Sequence, residues 1–239
     1  MNFKQWLLTE IAQPTKEIQS STFYHGTPKK SGYQGILDHG LKFDPNLVAQ
    51  KYKGQENFAP LPGVYLTKEF GNAVRYSFMS ELSDEQYQEY LNKEPLGYVF
   101  EFSGEGLSGI SPDEDELGRF LEKLVKTKNL TPNLKNLVDS IPQEIKTKLE
   151  QPEPSFESYA IAGKWAVNKL SDSTMLYLIK RYSNVVNYGT IKPNAVWIIP
   201  KPKERFLRDR QGTFNTFDGY LNHAKKIWKK THFITINNT

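Results

Sequence analysis

The chain has 239 residues, a net charge of +4 and no cysteine. The missing cysteines exclude disulfides, thiolate catalysis and cysteine-based zinc sites. No stretch approaches the roughly 20 apolar residues of a membrane span, so no membrane partner is expected, and aromatics at 13% suffice for a substantial core. The length suits one large domain, or one domain with an appendage.

The first ten residues, Met1 to Glu10, carry an early lysine but no long apolar run or small-residue cleavage site. They predict a short amphipathic helix over 1–13, ending before Pro14, rather than a signal peptide. With no cysteine, the chain suits a reducing compartment, and a cytoplasmic location is expected. Ser21-Thr22 opens a strand leading to His25, and a helix over 31–39 ends at His39, read as a capping or surface residue before Gly40-Leu41. Pro45, Gly54, Pro60 and Pro62 mark 44–62 as a loop. A strand over 63–67, a helix over 69–80 and a helix over 83–92 follow, the last opened by Ser83-Asp84-Glu85.

Gly97 to Phe102 alternates and is aromatic-rich, which predicts a strand. Asp113-Glu114-Asp115-Glu116 suits the start of a helix continuing over 116–127, where the macrodipole favours acids. The same four carboxylates could form a catalytic or cation-binding cluster. Prolines 132, 142, 152 and 154 separate short helical runs in 128–155, expected to be an insertion on the edge of the core. Helices are expected over 156–170 and 172–182, then two strands joined by a turn within 185–200.

From Lys201 onward, nine Lys/Arg face three acids. Interleaved with Phe206, Phe214, Phe217, Tyr220 and Trp228, they could contact nucleic acid. A solvated helix face on a small appendage is the more ordinary explanation. His223 and His232 lack metal-ligand spacing, and no metal site is expected.

The most specific pattern is an ordered set: Tyr24-His25-Gly26-Thr27, then Gly63-Val64-Tyr65-Leu66-Thr67, then Ala73-Val74-Arg75-Tyr76. Singly, each residue has an ordinary structural explanation, since a histidine at a strand end is usually a satisfied polar group and tyrosines usually pack in cores. The order and spacing together point to a nucleotide site. Imidazole can fix ribose hydroxyls, glycine permits close backbone approach, and two phenol rings can sandwich a flat cation at about 0.5–2 kcal/mol each.

This set resembles the ADP-ribosyltransferase superfamily, in the branch that includes diphtheria toxin and the poly-ADP-ribose polymerases. The likeness covers residues 22–80 well and 97–200 loosely. It implies an α+β fold with a split, mostly antiparallel sheet and surrounding helices, over an ADP-ribosyltransferase-like domain at 1–200 with a basic aromatic appendage at 201–239. NAD is the implied co-substrate, held by His25, Gly26, Thr27, Tyr65, Ala73 and Tyr76, with Tyr65 and Tyr76 stacking on nicotinamide. Ala73 stands where the superfamily often has a small hydroxyl residue, which removes one expected hydrogen bond to the nicotinamide amide.

The superfamily's late-strand acid is replaced by Asn184. Three readings stay open. Glu114, Asp115 or Glu157 supplies the charge; the acceptor assists the transfer of one ADP-ribose; or the domain binds a nucleotide without turnover. Catalytic roles are accordingly expected for His25, Tyr65 and either Glu114 or Asp115. The implied activity is mono-ADP-ribosyl transfer to a protein or nucleic-acid acceptor. RNA 2′-phosphotransferases start from a similar strand but would be expected to show extra pocket arginines, and here Arg75 is the only arginine before Arg119. A non-catalytic module working through the basic tail is the alternative from a different class.

Overall fold

The computed structural model describes residues 14–27, 30–51, 53, 59–78, 97–199, 225, 229 and 233–236. The helices expected over 1–13 and 83–92, and most of the basic tail, lie outside the described residues. The fold is α+β. Its strands are β1 (Thr22–Thr27), β2 (Val64–Thr67), β3 (Gly97–Ser103), β4 (Ile110–Pro112), β5 (Asn184–Asn187), β6 (Ala195–Ile199) and β7 (Phe233–Thr235). They form an antiparallel sheet in the order β4-β5-β2-β1-β3-β6-β7. The helices are α1 (Lys16–Gln19), α2 (Lys30–His39), α3 (Pro45–Lys51), α4 (Phe70–Phe78), α5 (Glu114–Val125), α6 (Pro132–Ser140), α7 (Gln143–Leu149), α8 (Phe156–Val167) and α9 (Asp172–Arg181). Among the described residues no helix is long and apolar enough to cross a membrane.

The chain divides into two compact units. The first comprises Met1–Thr15, Lys42–Tyr65 and Leu107–Thr190; the second comprises Lys16–Leu41, Leu66–Gly106 and Ile191–Thr239.

The first unit is mostly helical. Leu117 and Leu121 of α5 meet Ala162 and Ala166 of α8, with Ile141, Ile145, Leu149, Met175, Leu178 and Val186 closing the core. Each fully buried aliphatic side chain contributes about 1.5–3 kcal/mol. Two glycines let α5 and α8 touch through their backbones. A Cβ on Gly118 would meet the Tyr159 carbonyl oxygen at 2.2 Å, and one on Gly163 would meet the Glu114 carbonyl oxygen at 1.9 Å.

Side chains cap the helices of this unit, each satisfying an orphan backbone N–H. Asp113 accepts from the Glu116 N–H at 2.8 Å, Ser155 from Ser158 at 3.2 Å, and Ser171 from Thr174 at 3.3 Å.

Two expectations are corrected here. Part of the stretch read as a loop is α3. Asp44 accepts from the Asn46 N–H at 2.9 Å, and Pro45, taken as a breaker, occupies the first helical position, which suits its fixed φ. The stretch 128–155 is not confined to the edge, because Ile141, Ile145 and Leu149 are buried in the main cluster. Its prolines separate short helices as expected: Pro132 stands in the first turn of α6 and Pro142 at the N-cap of α7.

In the second unit β1 pairs with β3 from Thr22↔Ser103 to Thr27↔Tyr98. β3 pairs with β6 from Gly97↔Ile199 to Glu101↔Ala195, and β6 pairs with β7. Alternation puts Phe23, His25 and Thr27 on one face, and Thr22, Tyr24 and Gly26 on the other. Helix α2 covers the His25 face, where the Tyr33 ring lies 4.3 Å from that of Tyr98 and 5.8 Å from that of Phe100. It ends at Gly40, whose φ of 78° closes the turn without strain.

Helix α4 covers the opposite face and sits very close to it. A Cβ on Gly26 would meet the Ala73 carbonyl oxygen at 1.8 Å, and one on Gly97 the Ser77 carbonyl oxygen at 2.3 Å. The two strands of 185–200, expected to be joined by a turn as neighbours, are not paired with each other. β5 pairs with β4, while β6 pairs with β3 and β7.

Candidate active site

The first unit holds Tyr65, Glu114 and Asp115. Gly63 brings β2 against β5 so closely that a Cβ there would meet Val186 Cγ1 at 2.3 Å. Two residues on, the Tyr65 hydroxyl donates to Glu114 Oε2 at 2.5 Å and accepts from the Leu61 N–H at 2.8 Å. Glu114 is 8% exposed. An unpaired carboxylate would be costly at such a position, so the phenol is a requirement of the site as well as a partner.

Burial pushes the Tyr65 phenol far above its ordinary pKa, and the neighbouring Glu114 charge and hydrogen bond push in the same direction. Tyr65 therefore keeps its proton and acts as a fixed donor. Tyr188 lies beside this pair. Burial raises its phenol above the ordinary value, with Ser111 opposing and the Glu114 charge adding to the shift. Its hydroxyl is 2.8 Å from Ser111 Oγ. Ser111 Oγ is also within hydrogen-bond reach of the Pro112 carbonyl oxygen, at 2.9 Å, and either hydroxyl can donate in its contact with Tyr188. Burial lowers the pKa of Lys164 on α8, while the Glu114 carboxylate works against the shift by favouring the ammonium.

Asn184, at the position of the resembled family's acid, lies directly against the acidic run. The Asp113 N–H donates to the Asn184 carbonyl at 3.4 Å, and the Asn184 N–H donates to Glu116 Oε1 at 3.3 Å. The Asn184 side chain also hydrogen-bonds Asp113. Burial is the largest cause of a rise in the Asp113 pKa to about 6. Burial, then the Asp113 and Glu114 charges, raise Asp115 to about 7, with Arg119 opposing. Asp115 Oδ1 is buried and has no hydrogen-bond partner among the described residues.

The capping reading of the acidic run holds for one of its members. Asp113 is the cap, and Glu114 is the buried partner of Tyr65. Glu157 stands in the first turn of α8, and none of these hydrogen bonds reaches it.

The second unit holds the other residues that the resemblance singles out. His25 and Thr27 are half-buried on the α2 face of β1. The space left by the missing side chain of Gly26 is filled by the backbone of α4, so helix–strand contact requires this glycine. The Ala73 methyl is fully buried, whereas the Tyr76 ring on the same helix is 62% exposed.

Sequence reasoning missed Ser111, Tyr188 and Lys164. Tyr188 directly follows the apolar strand of β5, and that continuity was the available signal. Among the described residues, no group of three or more His, Asp and Glu is placed to hold a metal ion.

Part of the tail read as a polyanion site is described. Lys225 Nζ donates to the Tyr24 hydroxyl at 2.8 Å, and Lys229 Nζ lies 5.7 Å from the Phe233 ring centroid. Both ammonium groups are turned to aromatic partners within the second unit.

Comparison with family models, with curated proteins and with solved structures finds no match for the chain.

Proposed function

We propose that the chain transfers a single ADP-ribosyl group from NAD to a protein or nucleic-acid acceptor. The observation that carries this reading is the Tyr65–Glu114 hydrogen bond. It joins the tyrosine of the Gly-Val-Tyr-Leu-Thr motif to a buried carboxylate in a helix turn that itself contacts Asn184. In this reading Glu114 supplies the charge that the resemblance lacks at Asn184. The α+β fold and antiparallel sheet agree with what the resemblance requires.

In this reading the bond between ribose C1′ and the nicotinamide nitrogen breaks, and nicotinamide leaves with the electron pair. The oxocarbenium-like sugar is stabilised by the fixed Glu114 carboxylate. An acceptor oxygen or nitrogen then bonds to C1′ and loses its proton. Asp115, raised to about 7, suits a general base working near neutral pH. The resemblance assigns the NAD contacts to His25, Thr27 and Tyr76 of the second unit.

Calorimetric titration of NAD into the parent protein and into His25→Ala, Tyr76→Ala and Tyr65→Ala tests the binding half of this reading. Affinity should fall about tenfold or more in each, as expected for losing one stacking or charge-assisted contact. Equal affinity in all four proteins contradicts it. Binding without turnover under any acceptor supports a nucleotide-binding module instead.

A further inference from the structure

Three aromatic rings of the second unit surround one ammonium group. Lys225 Nζ lies 4.8 Å from the ring centroid of Tyr24, 5.0 Å from that of Phe70 and 5.9 Å from that of Trp197. The rings hold one another in place: Tyr24 and Phe70 meet edge to face at 5.5 Å, as do Phe70 and Trp197 at 4.9 Å. Their three elements differ, since Tyr24 is on β1, Phe70 opens α4 and Trp197 is on β6.

The polar edge of the cage is also prepared. The Tyr24 oxygen accepts from Lys225 at 2.8 Å. Glu101, the register partner of Tyr24, accepts from Trp197 Nε1 at 3.1 Å; burial lowers the Lys225 pKa, and the Glu101 charge opposes that shift by favouring the ammonium. Tyr24 is raised to about 12 by burial and by Glu101, so it remains a neutral phenol beside the cation. Faces of electron-rich rings, one oxygen acceptor and a nearby carboxylate are the features that bind alkylammonium ions.

We propose that Tyr24, Phe70, Trp197 and Glu101 form an alkylammonium-binding site, occupied here by the chain's own Lys225. Occupancy ties the C-terminal segment to the sheet, because β7 lies only eight residues beyond Lys225 and pairs with the strand that carries Trp197. The site is separate from the proposed transferase chemistry and does not depend on it. Lys225 is also withdrawn from any phosphate contact, in contrast to its role in the tail as read from charge alone.

Chemical rescue tests the site in the full-length chain. Lys225→Ala vacates the cage, and its thermal midpoint should lie below that of the parent. Methylammonium chloride should then raise that midpoint saturably, while sodium chloride at equal ionic strength should not, and the parent should respond to neither. A methylammonium response identical to that of sodium chloride, or identical in parent and variant, overturns the proposal. Should Lys225→Ala fail to fold, Lys225→Met keeps the apolar stem and removes the charge. Hydrogen exchange of the β6–β7 amides should then be about tenfold faster, the size of one lost cation–π contact, with β1–β3 amides unaltered. Unchanged β6–β7 exchange overturns the proposal.

Discussion

The Tyr65 hydroxyl donates to the Glu114 carboxylate across 49 residues of sequence. The contact fixes a tyrosine of the most specific sequence pattern to a helix start that would otherwise look like ordinary acid capping. Backbone contact between α5 and α8 at Gly163 holds the Glu114 main chain in place.

Removing the phenol should therefore cost stability. Tyr65→Phe leaves Glu114 buried without this donor, at about 1–3 kcal/mol. Urea unfolding at neutral pH measures it, and a variant as stable as the parent contradicts the structural role of the bond. Tyr65→Phe with Glu114→Gln should recover part of the loss, because the buried charge is gone.

Asp113 and Asp115 set an unusual pH dependence. Both carboxyls are raised in the folded state, to about 6 and about 7 respectively. Between the ordinary aspartate pKa and these values the folded protein binds more protons than the unfolded chain. Their contribution to stability is therefore largest at low pH and is lost as pH rises through 6 to 7. The urea midpoint of the parent should fall between pH 5 and pH 8 more steeply than that of Asp115→Asn. Parallel profiles rule out the raised Asp115.

Gly26→Ala separates packing from ligand binding. The new methyl would press on the Ala73 carbonyl oxygen, costing about 1–3 kcal/mol or more through overpacking. Thermal unfolding without any nucleotide checks it. An unchanged midpoint means that α4 moves aside readily, and the glycine would then be free to serve ligand approach.

The rest of the basic tail carries the nucleic-acid expectation. Replacing Lys226 and Lys230 by Gln should weaken single-stranded RNA binding and flatten its salt dependence, as fewer phosphates are neutralised. Lys225→Gln should leave the salt slope unaltered. Affinity that does not fall with rising salt removes the tail as an electrostatic site.

Local pattern carried much of the fold. β3 shows in the alternation of Gly97 to Phe102, and the cap of α5 in Asp113 followed by acids. Helix α3 was hidden because Pro45 breaks helices at interior positions yet suits a first turn. The separation of β5 from β6 was hidden because strand pairing is decided by distant partners. For the site, Tyr65 was visible from its motif, but its bond to Glu114 spans too much sequence for any spacing rule. Gly26 was visible as necessary, while the reason found for it, the backbone of α4, lies nearly fifty residues away.

The most direct measurement is incubation of the full-length protein and Glu114→Gln with NAD labelled on the adenylate, in a cell lysate. Label should be read separately on protein, RNA and DNA. The parent should place single ADP-ribosyl units on one acceptor class. Glu114→Gln should do so about 10²–10³-fold more slowly, the size expected for losing one fixed electrostatic stabiliser. Long product ladders, equal rates in the two proteins, or no turnover of NAD by the parent would contradict ADP-ribosyl transfer supported by Glu114.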